Sequence, residues 1–286
     1  MLLFIIFLSF FNLNNFNNFP SETYQNLNFN EIKVNQGLEF EDINKLNLNL
    51  KNFSAKSILV KEIEGQTLLA KNASSKRDIA SLTKILSVYI GYLVFKEENK
   101  NFYFDKESLS QEGVVGFFRE GEIISRDEIF KAALIASSND SIYLLAKNYG
   151  VKDFVSLMNV KAKEFGMFDS NFVDPTGLGQ NLSTAKDLFI LLSKINSFAP
   201  EILRLTTFEK VVINDKILWT TNLILPKYKN FIVAAKTGYK DLVGENLVVV
   251  LKFRSSPFVC LVILGSNNRW REAEILIESL KKYYNE

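Results

Sequence analysis

Histidine is absent from all 286 residues, and that one absence removes the usual general base, the commonest metal ligand and every serine–histidine or cysteine–histidine nucleophile pair. Any hydrolytic chemistry in this chain must therefore use Lys, Asp, Glu or Tyr. Cysteine is nearly absent too. The single Cys260 cannot close an internal disulfide or build the usual thiolate zinc site, and its place in the apolar run 257–264 reads as that of a small buried hydrophobe. No metal and no cofactor is expected. Charge of one sign is also lacking: 34 basic and 32 acidic residues leave a net charge of +2, with no long basic block to track a phosphate backbone, so nucleic acid is not expected as a partner.

What is there is enough apolar residue, 47% of the chain, to bury one sizeable core. Residues 1–11 are apolar apart from Ser9, and 12–20 are rich in Asn. Such a run is short for a bilayer span but has the length of a signal-peptide core, although no Lys or Arg precedes it and no Ala-x-Ala-like site follows. The expectation is a signal peptide or short membrane anchor over 1–20, which places the protein outside the cytoplasm, whether secreted, periplasmic or at the cell surface, with membrane association through that segment. The competing reading is a buried amino-terminal strand. Residues 21–53 show neither period two nor 3.6 and read as an Asn-rich spacer, leaving one folded domain over 54–286.

Within that domain, 57–63 and 66–71 are strand-like runs around Glu64-Gly65, a hairpin signal. Leu82, Ile85, Leu86, Tyr89, Ile90 and Leu93 then recur at helical spacing over 79–94. Helical periodicity returns over 126–136, 141–149, 151–165 and 184–195, with Gly150 and Gly166 as stops. Past Phe208 the signals are β again, over 208–213, 231–235, 246–253 and 258–265, and an amphipathic helix over 269–284 closes the chain. Hairpin, helical block, meander and helix together predict an α+β fold: one antiparallel sheet of about five strands drawn from both chain ends, with a helical subdomain inserted.

Without histidine, a serine can be activated by a lysine one helical turn away, because residues i and i+3 share a helix face. The pattern Ser-x-x-Lys occurs at Ser81/Lys84, Ser183/Lys186 and Ser279/Lys282. Ser183 precedes a helical stretch with Asp187 in its first turn, which a helix start explains. Ser279 and Lys282 fall on a charged terminal helix that reads as a solvated face. Ser81 differs, because Ser137-Ser138-Asn139 and then Lys236-Thr237-Gly238 follow it in the order found in serine penicillin-recognising enzymes. A second Ser-x-Asn, at 266–268, stands directly before a helix and reads as a cap.

The segments 72–84 (Asn-Ala-Ser-Ser-Lys-Arg-Asp-Ile-Ala-Ser-Leu-Thr-Lys), 174–178 (Asp-Pro-Thr-Gly-Leu) and 236–239 (Lys-Thr-Gly-Tyr) closely resemble the low-molecular-mass penicillin-binding proteins of the D-alanyl-D-alanine carboxypeptidase family, over roughly Ser57 to the end. The resemblance implies a β-lactamase/DD-peptidase-like fold and a peptidoglycan stem peptide ending in D-Ala-D-Ala as substrate, with β-lactams as covalent inhibitors. It implies Ser81 as nucleophile, Lys84 as its base and Ser137 as a proton relay bridging Lys84, Lys236 and the leaving nitrogen. Asn139 would hold the substrate backbone, Lys236 and Thr237 its terminal carboxylate, Gly238 would allow close approach, and the N–H groups of Ser81 and Tyr239 would form the oxyanion hole. To serve near neutrality, Lys84 needs its pKa lowered by burial and a nearby second cation, for which Lys236 is the candidate. Ser138, Ile79 and Lys240 stand where the family usually has Gly, Pro and often Thr.

Other readings of the same motifs are a DD-endopeptidase cutting cross-links, a class A β-lactamase and a non-catalytic wall-binding protein. The endopeptidase is favoured among these because the chain ends soon after its last strand, like a catalytic domain alone. A class A β-lactamase carries Glu-x-x-Leu-Asn between its second and third motifs, and 149–204 has no such segment; Asp174 there reads as a turn residue.

Overall fold

The computed structural model describes residues 43–97, 100–254 and 256–286. The leader expected over 1–20, and the spacer as far as residue 42, lie outside the described residues.

The chain opens with the hairpin β1 (Ser57–Glu62) and β2 (Thr67–Lys71), followed by the short β3 (Arg77–Asp78) and helix α1 (Thr83–Val94). The inserted block then runs β4 (Asn101–Tyr103), α2 (Lys106–Leu109), β5 (Ile123–Ser125), α3 (Arg126–Ile135), α4 (Asn139–Tyr149), α5 (Val151–Phe165), β6 (Leu182–Ser183), α6 (Ala185–Phe198) and α7 (Pro200–Arg204). A ribbon of β7 (Lys210–Ile213) and β8 (Lys216–Trp219), then α8 (Leu225–Tyr228), leads into β9 (Ile232–Lys240), β10 (Gly244–Lys252), β11 (Phe258–Ser266) and α9 (Arg269–Tyr283).

The main sheet has five strands in the order β2-β1-β11-β10-β9, antiparallel throughout, with Ser57 opposite Leu264 and Lys236 opposite Val248. Both chain ends build it, as the pattern predicts. Successive side chains alternate faces along a strand. Val248, Val250, Cys260, Val262 and Leu264 accordingly enter one core with α1 and α6, while Leu247, Val249, Leu251, Leu261 and Ile263 enter a second with Ala273, Leu276, Ile277 and Leu280 of α9. Covering both faces is why β10 and β11 read as unbroken apolar runs. Each Val, Leu or Ile among them contributes roughly 1.5–3 kcal/mol by leaving water.

Helix ends follow local chemistry. Ser125 and Glu128 form a capping box at the start of α3, and Gly166, at φ 90°, ends α5 in the left-handed conformation. At α6 the cap is Thr184 rather than Ser183, whose hydroxyl lies 2.7 Å from that of Ser170. Asn268, the last residue of the second Ser-x-Asn, caps α9.

One boundary differs from the sequence reading. Residues 43–53, part of the expected spacer, pack on the domain: 43–45 run along the outer edge of β2, where Asn44 bridges Leu69 and Ala70 N–H donates to Ile43 O at 2.8 Å, and Phe53 is buried. Glu272 of α9 accepts from Ser54 N, Ser54 Oγ and Ala55 N. Scattered Leu and Asn carry no period when a segment uses its backbone to cover a strand edge, which is why the packing was invisible beforehand.

Candidate active site

The site lies where the free edge of β9 meets the inserted block. Ser81 stands not on α1 itself but in a 3₁₀ turn, Ala80–Leu82, that leads into it. The turn is strained, since Ala80 has φ +48°, a left-handed conformation that costs a non-glycine residue about 1–2 kcal/mol. Several bonds hold it: Ala80 N–H donates to Asp78 Oδ1 at 2.9 Å, Leu82 N–H to Ile79 O at 3.2 Å, and Thr83 Oγ1 to Ala80 O at 2.7 Å. Asn181 reaches in from the inserted block, donating through Nδ2 to Thr83 Oγ1 at 2.9 Å.

Two glycines let backbone press on this turn from either side. A Cβ on Gly177 would sit 2.2 Å from Ala80 O and 2.8 Å from Ser81 N, and one on Gly238 would sit 2.7 Å from Ile79 O and 3.3 Å from Ser81 N. Any side chain at either position displaces the turn that carries Ser81.

Lys84 Nζ donates to Ser81 Oγ at 2.9 Å and to Thr176 O at 2.6 Å. Lys236 Nζ donates to Ser137 Oγ at 2.8 Å and to Thr237 O at 3.0 Å. Both lysines are buried, at 0% and 1% exposure, and burial disfavours a cation. It pushes Lys84 down from 10.5 to about 7, against the opposing pull of Asp174 and Asp140. Lys236 is lowered too, first by burial and then by the nearby positive charges of Lys84 and Arg269. Sequence reasoning named a second cation as a cause for Lys84. Burial, the other cause it named, is the leading one for both lysines, and the repulsion between the two cations is mutual.

The second motif is arranged differently from the expected bridge. Ser137, at φ +65°, contacts Lys236, but among the described residues no hydrogen bond joins it to Lys84; the two serine–lysine pairs stand as separate units. Ser138 caps α4 and its hydroxyl contacts the Asp140 carboxylate. Asn139 donates through Nδ2 to Glu112 O at 2.6 Å, while its buried Oδ1 has no partner. An acceptor left so is a place for a ligand N–H.

On β9, Thr237 Oγ1 lies 2.6 Å from Thr221 Oγ1. Tyr239 is 57% exposed, its hydroxyl directed to Asp241. Asp174 is a turn residue as expected: Oδ1 accepts from Thr176 N, Thr176 Oγ1 and Gly177 N, and Oδ2 from Gly179 N. That carboxylate shapes the loop whose Thr176 carbonyl holds Lys84.

Sequence reasoning missed Thr176, Thr221 and Arg269. Arg269 Nη1 donates to Gly238 O at 2.7 Å. Because a trans peptide points its C=O and N–H in opposite directions, this bond turns the Tyr239 N–H away from β10, toward the open edge. Of the three, only Thr176 had a signal, inside the 174–178 segment.

Residues 45–268 match the D-alanyl-D-alanine carboxypeptidase family. The chain is 31% identical over 227 residues to a D-alanyl-D-alanine endopeptidase of Pseudomonas aeruginosa, covering 76% of this chain and 73% of that one. It is 27% identical over 231 residues to the D-alanyl-D-alanine carboxypeptidase DacF of Bacillus subtilis, covering 77% of this chain but 59% of the relative. Among solved structures it superposes on penicillin-binding protein D2 of Listeria monocytogenes in its cefotaxime-bound form with a TM-score of 0.73 and 27% identity, covering 82% and 98% of the two chains. A histidine-free serine–lysine centre on this sheet, with a family match over most of the described residues, shows that the chain belongs to the D-alanyl-D-alanine carboxypeptidase family.

Proposed function

We propose that this protein is a serine DD-peptidase that removes the terminal D-Ala from peptidoglycan stem peptides through an acyl-enzyme at Ser81, and that β-lactams trap it at that stage. The observation carrying the proposal is the pair of buried lysines, each on a serine hydroxyl: Lys84 on Ser81 and Lys236 on Ser137.

Ser81 Oγ attacks the carbonyl between the two D-alanines while uncharged Lys84 takes its proton; the peptide C–N bond breaks, D-Ala leaves, and water hydrolyses the ester. A Lys84 pKa of about 7 leaves a useful fraction of free amine at neutrality. The N–H groups of Ser81 and Tyr239 hold the oxyanion, and losing one such donor costs about 3–4 kcal/mol of transition-state stabilisation. Ser137 passes a proton from Lys236 to the leaving nitrogen. Lys236 and Thr237, with Thr221 behind Thr237, bind the substrate carboxylate, and the unpartnered Asn139 Oδ1 accepts from the substrate backbone. Acting on the wall, the enzyme works outside the cytoplasm, with residues 1–20 as its signal peptide or short membrane anchor. Among the described residues no helix is long and apolar enough to cross a membrane.

Mass spectrometry after penicillin treatment tests the proposal: wild type gains a penicilloyl adduct and Ser81→Ala gains none, whereas an adduct on both removes Ser81 as nucleophile. The similarity to a named endopeptidase favours a second reading, cleavage of cross-links by the same centre. Digestion of purified muropeptides separates the two, free D-Ala marking the first and dimer cleavage the second.

A further inference from the structure

Lys240 and Asp78 form an ion pair that none of the chemistry above uses. The Lys240 ammonium lies 2.7 Å from Asp78 Oδ2 and donates to Gly179 O at 3.1 Å. Asp78 is the residue whose other oxygen, Oδ1, accepts from Ala80 N–H, the amide that must be held for Ala80 to stay at φ +48°. Asp78 is further fixed through its own carbonyl, which accepts from Asn246 Nδ2 at 3.1 Å; Asn246 Oδ1 in turn accepts from Gly265 N–H on β11.

One ammonium therefore ties together three segments that converge on Ser81: the 3₁₀ turn through Asp78, the Asp174 loop through Gly179, and β9 through its own backbone one residue after Tyr239. The Asp78 side chain is 10% exposed and that of Lys240 30%, so the pair is shielded enough to count for more than a surface bridge. A turn with a strained alanine keeps its geometry only when its surroundings over-determine it, and displacements of an ångström at a reacting centre lower rates by orders of magnitude.

We infer that Lys240 is a positioning residue: through Asp78 and Gly179 it locks the Ser81 turn against the β9 edge, so that nucleophile and oxyanion donors keep their mutual geometry during acylation. The inference rests on Ser81 being the nucleophile, which labelling of Ser81→Ala tests by itself.

The test uses the purified full chain, with fluorescent penicillin and a peptide ending in D-Ala-D-Ala, and rates taken per penicillin-titrated site. Lys240→Met is expected to lower kcat and the acylation rate about tenfold, with KM within about twofold. Lys240→Arg, which keeps the charge, is expected to recover most of that loss. Asp78→Asn is expected to match Lys240→Met, and the double variant to be no worse than either single one, as for two parts of one device. If Lys240→Met does not fold, Asp78→Asn against Lys240→Arg reads the same clamp. Wild-type acylation in Lys240→Met, a loss confined to KM, or no recovery by arginine overturns the inference.

Discussion

Replacing Lys84 with methionine is expected to abolish acylation and make the protein more stable at neutral pH. An unfolded lysine holds its proton up to about 10.5, whereas the buried Lys84 releases it at about 7. Between these values the unfolded chain binds more protons than the folded one, so stability rises with pH across the window. At pH 7, with about 1.36 kcal/mol per pH unit, the wild-type fold is held back by about 4 kcal/mol relative to one with a neutral side chain there. Methionine fills similar space without that cost but leaves Thr176 O, now accepting from Lys84 at 2.6 Å, without its donor, which costs about 1–3 kcal/mol. The balance is a gain of about 2 kcal/mol, or roughly 4–8 °C in Tm for a domain of this size. The pH dependence is the sharper reading: by pH 9 the wild-type handicap shrinks to about 2 kcal/mol, so the advantage of the variant should fade. Urea or thermal melts of both proteins at pH 7 and pH 9 measure this. A variant less stable than wild type at pH 7, or a difference that does not move between the two pH values, refutes the reasoning that Lys84 is uncharged because it is buried. Such a gain is the expected signature of an active-site group kept for chemistry at the expense of stability.

The same lysine sets the pH profile. Because its free amine is the active form, the acylation rate with fluorescent penicillin should fall about tenfold per pH unit below about 7 and level off above it; a flat profile from about pH 5 to pH 9 would exclude Lys84 as the base. Gly177→Ala puts a Cβ 2.2 Å from Ala80 O at φ +90°, combining overpacking at about 1–3 kcal/mol with left-handed strain at about 1–2 kcal/mol. Scanning calorimetry should record a Tm drop of about 5–15 °C together with lost labelling, and a melt like that of wild type would mean the two loops are not in contact.

The parts of this protein that were legible in its sequence are those where a side-chain pattern and a structural period coincide. The hairpin at Glu64-Gly65, the apolar strands β10 and β11 and the amphipathic α9 follow from periodicity alone, and the order Ser81, Ser137, Lys236 singled out one Ser-x-x-Lys among three. Patterns fail where backbone atoms do the work. The 3₁₀ turn at Ala80–Leu82 looks in the sequence like the first turn of a helix, because apolar spacing does not register a single left-handed residue. Thr176 acts through its carbonyl, which any residue possesses. Arg269 serves Gly238 from 31 positions away, and Thr221 reaches Thr237 across 16; nothing local marks either. Of the β7–β8 ribbon only β7 carries a strand signal, since the outward Ile217 and Trp219 of β8 break the usual alternation of apolar inside and polar outside.

The strand order carries a consequence for assembly. β1 reaches β9 only across β11 and β10, so the β1–β2 hairpin has no place in the sheet until β11 has been made. Closing so wide a loop is slow. A growing chain therefore carries Ser81 long before the sheet beside it can close, and Lys236 on β9 gains its full setting only once β11 has been made.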